Sequence, residues 1–284
     1  SAHVQDLLKR HRGQCTHNIR RRKRAVIMSN ELVSIITPSY NTAAYIAETI
    51  KSVIAQTYTN WEMIIVDDCS TDNTDIVVAQ FADPRIKYLK NAKNSGTAVS
   101  RNYALREAKG RWIAFLDSDD LWLPEKLEKQ IAFMEKHKCS FSYTNYELVD
   151  EKSNLMHIEI SGPNKIGKTL MYAYNWLGCL TVMYDAKLIG TIQIEDLKKR
   201  NDYAIWIKVI NKAECRKLNE NTALYRKRSG SLSNTGYLKL VKHHYFLWRY
   251  GAKFNCISAA SLTLINLLFG VLKKVFYIKK YRIS

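Results

Sequence analysis

Three carboxylates in four residues, Asp117-Ser118-Asp119-Asp120, are the densest chemistry in this 284-residue chain. They follow an apolar run at 112–116 that reads as a buried strand. Like charges crowded at a strand end repel one another, so the cluster calls for a cation or a sharp polar turn. Carboxylate oxygens are hard donors that suit Mg2+ or Mn2+. A divalent ion held there could in turn hold phosphate oxygens. The plainer reading is an acidic turn in which Asp120 caps a helix opening near Pro124.

The elements around the cluster decide what it can meet. Leu32 to Thr37 is a short strand of branched residues that Pro38 is expected to stop, and Ser39-Tyr40-Asn41 forms a loop. A helix follows with apolar positions at Ile46, Ile50, Val53 and Ile54. A second strand at 61–66 ends in Asp67-Asp68-Cys69-Ser70, a third spans 85–89, and a helix at 97–108 carries Arg101 and Asn102. Strands near 32, 61, 85 and 112 separated by helices describe a mostly parallel sheet. Ligands bind at the carboxyl ends of such strands. The polar clusters at 37–41, 67–68 and 117–120 all fall there, so residues far apart in sequence are expected to converge. No GxGxxG follows the first strand and no GxxxxGK[ST] occurs. That argues against a dinucleotide oxidoreductase and a P-loop enzyme, which need those glycines for backbone approach to phosphates.

Net charge is +18, and the ends carry nearly all of it. Residues 1–30 hold eight Lys/Arg and one acid, residues 237–284 hold nine and none, and 31–236 hold 27 basic against 25 acidic residues. A nearly neutral body argues against a nucleic-acid reader, whose basic footprint should lie on the folded domain. Basic ends suit an anionic lipid surface. Six scattered cysteines without ligand spacing argue against zinc and fit a reducing compartment. Met28 reads as the natural start, with residues 1–27 as upstream or added sequence; a basic arm contacting membrane is the alternative.

Four ordered stretches carry a resemblance. They are Val33-Ser34-Ile35-Ile36-Thr37-Pro38-Ser39-Tyr40-Asn41, Ile64-Ile65-Val66-Asp67-Asp68-Cys69-Ser70-Thr71-Asp72, Asn94-Ser95-Gly96 leading to Ser100-Arg101-Asn102, and Phe115-Leu116-Asp117-Ser118-Asp119-Asp120. Over about 31–236 the chain resembles the family 2 glycosyltransferases, inverting metal-dependent enzymes. The fold implied is α/β of the GT-A (Rossmann-like) class: a mostly parallel mixed sheet flanked by helices, here with a C-terminal helical extension. The resemblance implies a nucleotide-binding half at 31–120 and an acceptor-binding half at 121–236. Thr37, Pro38 and Tyr40 then border the base. Asp68 resembles the carboxylate that reads it, and an acceptor-only side chain suits the ring N–H of uracil. Arg101 and Ser118 lie near the nucleotide. Asp117 and Asp119 form the DxD pair, with Asp119 as metal ligand and Asp117 shared between ribose and metal. Plainer roles stay open: Asp67 satisfying local amides, Asn41 as a turn residue, Arg101 on a helix surface.

The second half should carry the acceptor and one general base to take the acceptor hydroxyl's proton. Gly178 to Met183 resembles the family's strand near the acceptor. The family's Glu-Asp pair opening a helix with a following Trp matches Asn201-Asp202-Tyr203-Ala204-Ile205-Trp206, with Asn201 in place of Glu. Asp202 is therefore the expected base, or else a helix N-cap. Glu195-Asp196 is the rival pair. Arg226 and Arg228, with Ser233 behind them, are placed in a basic loop expected either to close over the diphosphate or simply to be solvated.

Beyond residue 236 aromatic and basic residues interleave around an apolar stretch at 254–272. That pattern suits a segment lying in a membrane interface; packing on the catalytic domain or a second subunit, as a homo-oligomer, and a true span are the alternatives. The expected protein is cytoplasmic and peripheral at the inner face of the cell membrane. It would move sugar from a UDP-sugar to a glycan or lipid-linked acceptor in surface polysaccharide synthesis. A sugar nucleotidyltransferase, which wants a glycine-rich first loop, and a non-enzymatic basic protein are the rivals.

Overall fold

The computed structural model describes residues 30–195, 197, 199–228 and 237–281. Met28, the basic run at 20–24, Asp196 of the rival pair and Ser233 lie outside the described residues.

Strands and helices alternate through the first half: β1 (Val33–Ser39), α1 (Ile46–Ile54), β2 (Trp61–Asp67), α2 (Thr74–Ala79), β3 (Ile86–Lys90), α3 (Thr97–Glu107) and β4 (Trp112–Phe115). The four strands are parallel in the order β4-β1-β2-β3. The chain therefore leaves β1 in one direction for β2 and returns to its other side for β4. That reversal opens a crevice at the carboxyl ends of β1 and β4. Alternate residues fill the two faces. Ile35, Met63 and Ile65 meet Ile46, Ile50 and Val53 of α1, while Ile36, Ile64 and Val66 meet Ala98, Ala104 and Leu105 of α3. Full burial of each large aliphatic side chain stabilises the fold by roughly 1.5–3 kcal/mol. Pro38 does not stop β1; it pairs opposite Val66. Ile36 O accepts from Leu116 N on the β4 side and Ser39 O from Asp68 N on the β2 side. By alternation Pro38 faces β4, where the ladder has ended, so its missing N–H costs nothing.

The second half continues as β5 (Leu121–Trp122), α4 (Lys126–His137), β6 (Phe141–Val149), β7 (Leu155–Ile160), β8 (Lys165–Ile166), α5 (Lys168–Ala173), β9 (Met183–Asp185), α6 (Ala186–Ile189), α7 (Asn201–Ile210) and β10 (Cys215–Arg226). Here the ladder turns chiefly antiparallel: β9 lies between β4 and β6, and β7 pairs β6. Only β10 runs parallel to β6. The segment expected as a strand near the acceptor is one 3-10 turn, Cys179–Thr181, before β9. Asp120 is not a helix cap: α4 opens at Lys126 behind Glu125.

The tail forms α8 (Tyr237–Phe246), a π-turn at Leu247–Gly251, α9 (Cys256–Phe276) and β11 (Ile278–Lys280). Asn255 caps α9, its Oδ1 accepting from Ser258 N at 2.8 Å. β11 adds antiparallel to β7, so the tail ends inside the same sheet. α9 is inverted for a surface helix. Ala259, Thr263, Asn266 and Lys273 are buried against the body, whereas Ile257, Leu264, Leu268, Val271 and Val275 are exposed at spacings of 7, 4, 3 and 4. That spacing is one helix face.

Candidate active site

The crevice between β1 and β4 gathers the carboxylates. Asp117 leaves the end of β4 and accepts from Arg101 Nη2 at 2.5 Å. Arg101 projects from α3 and is only 4% exposed, so it is not a helix-surface residue. Its Nη1 donates to Asn201 Oδ1 and its Nη2 lies 3.4 Å from Cys179 Sγ. Burial opposes the charge on Arg101, but Asp117, with Cys179 and Asp202 behind it, holds the guanidinium well above its ordinary value. One buried cation thus joins the acidic turn to the helix that carries Asp202.

The three acids of that turn do different things. Asp119 Oδ2 accepts from Arg228 Nε at 2.6 Å. Burial and the charge on Asp117 raise its carboxyl above the usual range, with Arg228 opposing. Asp120 is buried, and its Oδ1 accepts from Arg226 N at 2.9 Å, fixing the end of β10. Burial, then Asp119 and Asp117, push the Asp120 carboxyl well above its ordinary range. Thr49 of α1 donates its hydroxyl to the backbone oxygens of Ser118 at 3.0 Å and Asp120 at 2.8 Å. The turn is therefore held from behind, with Ser118 buried.

The same crevice takes in the residues expected around a nucleotide. Thr37 is fully buried and its hydroxyl has no partner, Pro38 is buried, and Tyr40 stands 45% exposed at the rim. Asp68 accepts from Asn91 Nδ2 and Ser95 N at 2.8 Å and from Gly96 N at 2.7 Å. Gly96 reaches it with φ at +89°, a conformation that favours glycine. A carboxylate offers about four acceptor sites, so one remains on Asp68. Asp67 has the plainer role: Ser70 N and Oγ donate to it. Asn41 also serves a turn, accepting from Thr71 N at 2.8 Å with φ at 51°.

Arg226 is not the free loop cation expected. It ends β10, is 2% exposed, and donates to Glu48 Oε2 at 2.8 Å, Ser153 Oγ at 2.7 Å and Asp119 O at 2.8 Å. Among the described residues Arg228 pairs with Asp119 and lies 5.4 Å from the Tyr45 ring centroid, and it is a quarter exposed. Asp202 is not an N-cap: Arg200 holds that position with φ at 63°, and Asp202 lies in the first turn of α7. Asn175 Nδ2 donates to its Oδ2 at 3.4 Å. Asn175, Cys179 and Asn201 in its contact with Arg101 escaped sequence reasoning. The one available signal was Asn201 standing where Glu was expected.

Among the described residues no three His, Cys, Asp or Glu side chains assemble a metal cage. Asp117 and Asp119 still fit an ion that takes its other ligands from phosphate and water, the usual habit of Mg2+. The raised Asp119 carboxyl is the physical sign: a neighbouring cation would relieve it. The described cysteines are free thiols.

Residues 34–184, which hold all the strand-end clusters, match the family model Glycosyl transferase family 2. The chain belongs to that family. This family 2 glycosyltransferase is 42% identical over 221 residues to TuaG of Bacillus subtilis, whose name places it provisionally in teichuronic acid biosynthesis; 77% of this chain and 87% of that protein are covered. It is 40% identical over 217 residues to WfgD of Escherichia coli, a UDP-Glc:alpha-D-GlcNAc-diphosphoundecaprenol beta-1,3-glucosyltransferase, with 76% and 85% covered. S. aureus TarS 1–349, solved with UDP-GlcNAc, superposes with a TM-score of 0.64 at 22% identity, covering 81% of this chain and 70% of that one. The mannosyltransferase PcManGT of Pyrobaculum calidifontis, solved with GDP-Man and Mn2+, gives 0.56 at 16%, covering 95% and 84%. The fold is GT-A, and the chain is a glycosyltransferase; the nucleotidyltransferase and non-enzymatic readings fall away.

Proposed function

We propose that this glycosyltransferase moves a sugar from UDP, with inversion, to a lipid-linked saccharide in the assembly of a cell-surface polysaccharide. The observation that carries the reading is Arg101, which ties Asp117 of the donor half to Asn201 beside Asp202 of the acceptor half. Residues 31–120 hold the donor and 121–236 the acceptor. Thr37, Pro38 and Tyr40 border the base, and the free acceptor site of Asp68 takes the ring N–H of uracil. Asp117 and Asp119 would hold Mn2+ or Mg2+, which supplies charge stabilisation to the departing diphosphate. Arg228, a quarter exposed beside Asp119, would turn from Asp119 to that diphosphate. Arg226 braces the acidic turn. Asp202 takes the proton as the acceptor oxygen bonds to the anomeric carbon and the bond to the diphosphate breaks. The acceptor class follows the named substrate of WfgD.

The tail supports a membrane-surface location. α9 is long and apolar enough to span a bilayer by composition, but it is seated on the body through its polar face and followed by β11 in the sheet. A helix fixed in this way lies along an interface with its apolar face outward. Lys253, Lys274, Lys279 and Lys280, near the two ends of α9 in sequence, would suit anionic lipid and support a peripheral location at the inner face of the cell membrane.

Asp202→Asn tests the mechanism. Transfer is expected to fall by at least about 100-fold while UDP-sugar binding is kept. Wild-type turnover by that variant would remove Asp202 from the reaction.

A further inference from the structure

We infer that helix α9 is a working wall of the acceptor site, with Lys273 and Asn175 acting as positioning residues for Asp202. This rests on the reading of Asp202 as the base.

The segment at 172–177, the end of α5 and the loop that leads to the 3-10 turn, is shaped from outside, by the tail. Asn266 Nδ2 donates to Tyr172 O at 2.8 Å. Tyr174 lies against Gly270, where an added Cβ would come within 3.1 Å of its ring. Lys273 Nζ donates to Trp176 O at 2.9 Å and Asn175 O at 3.4 Å. The Trp176 ring meets Phe269 at 6.1 Å and Tyr277 at 5.4 Å, both edge-on. Four residues of one helix, Asn266, Phe269, Gly270 and Lys273, with its C-cap Tyr277, thus hold Tyr172, Tyr174, Asn175 and Trp176. Among the described residues, the polar side-chain contact to Asp202 comes from that loop, from Asn175 Nδ2 at 3.4 Å.

Lys273 is an odd choice if the helix serves only to pack. It is 9% exposed and makes no ion pair among the described residues. Burial, with Arg200 adding to it and Asp202 opposing, pushes its ammonium down to about 8. An apolar residue of similar length would pack at lower cost. What an ammonium supplies here is donors to two successive carbonyls, those of Asn175 and Trp176, which fix the backbone that carries the Asn175 amide.

The test compares Lys273→Met, Asn175→Ala, Asn175→Asp and Asp202→Asn in the full chain. Donor is UDP-glucose and acceptor a synthetic lipid-tailed N-acetylglucosaminyl diphosphate. Expected are losses in kcat of about 10-fold to 100-fold for Lys273→Met and Asn175→Ala, from misplacement of the base, with donor KM within about twofold. Asn175→Asp should fall below Asn175→Ala, because it replaces a donor to Asp202 with a like charge. A purely structural role would not give that order. Hydrogen exchange of Lys273→Met gives a readout independent of acceptor: amides at 172–177 should exchange at least about 10-fold faster, with β1 to β4 unchanged. Unchanged exchange there would overturn the clamp. If Asp202→Asn is inactive while the other three transfer within twofold of wild type, the positioning role is overturned and the base assignment stands. If Asp202→Asn transfers normally, the base assignment itself has failed.

Discussion

The half of this enzyme proposed to hold the donor and the half proposed to hold the acceptor are built on opposite plans. In the donor half the carboxylates lie at or beside strand ends, and Asp68 is held by Asn91, Ser95 and Gly96 just beyond the next strand, although Asp119 also takes Arg228 from 109 residues further on. Asp68, Asp117 and Asp119 are placed by parallel strands whose carboxyl ends meet where the chain reverses. In the acceptor half nothing is placed by one element. Asp202 sits on α7, is touched by Asn175 from a loop, and that loop is gripped by Lys273, 98 residues further along. Arg101 bridges the two halves across 100 residues. A strand end can hold a nucleotide with short-range structure, whereas a base that must meet a second substrate depends on tertiary packing.

That contrast can be broken at several points. Replacing Asp119 by Asn attacks the acidic turn and its pair with Arg228 while leaving the 172–177 segment untouched. Transfer should drop by at least about 100-fold, and added Mn2+ or Mg2+ should no longer raise it, while exchange at 172–177 stays as in wild type. A disturbed acceptor loop in that variant would mean the halves are not separately built. Arg101→Lys strikes the junction. Lysine keeps the charge but cannot serve Asp117 and Asn201 at once, so turnover should fall by up to about 100-fold and both donor and acceptor KM should rise. An effect confined to the donor would deny the bridge.

The outer face of α9 offers a smaller and separable effect. Leu264→Ser and Leu268→Ser each remove roughly 1.5–3 kcal/mol of apolar burial. Co-sedimentation with anionic vesicles should weaken by about 10-fold or more per site, with transfer to a soluble short-tailed acceptor unchanged. Unaltered vesicle binding would leave that face without a membrane role. Asp120→Asn should give the smallest change, and in the opposite sense. The Asp120 carboxyl is raised by folding, so its charged form costs stability above the unfolded value near 3.9. Asparagine keeps an oxygen for Arg226 N and removes the charge. Thermal unfolding at pH 7 should rise by about 2–4 °C, and the gain should vanish as pH falls towards 4. A loss of stability would show that the charge on Asp120 is needed by Arg226.

The same contrast explains what could be read from the residues alone. The parallel strands, the acidic turn and the convergence of three strand ends were visible because hydrophobic period and strand-end polarity are local signals. Arg101 was visible only through its motif; its burial and its reach to Asn201 were not. Asp120 looked like a cap because a carboxylate before a helix usually is one, yet β10, a hundred residues on, claims it. Arg226 looked like a loop cation because the end of β10 could not be located, and a buried partner at Glu48 leaves no trace in sequence. The inverted faces of α9 were hidden for a related reason. An apolar helix reads the same whichever face packs, and only the seating of Asn266 and Lys273 shows that its polar side is inside.

The central claim is a single displacement in which the acceptor oxygen, deprotonated by Asp202, attacks the anomeric carbon opposite the diphosphate. Proton NMR of the product formed from UDP-α-glucose reads that directly. The expected product carries a β-glycosidic linkage. An α-linked product would contradict the account, because one displacement from the face opposite the diphosphate must invert the anomeric centre.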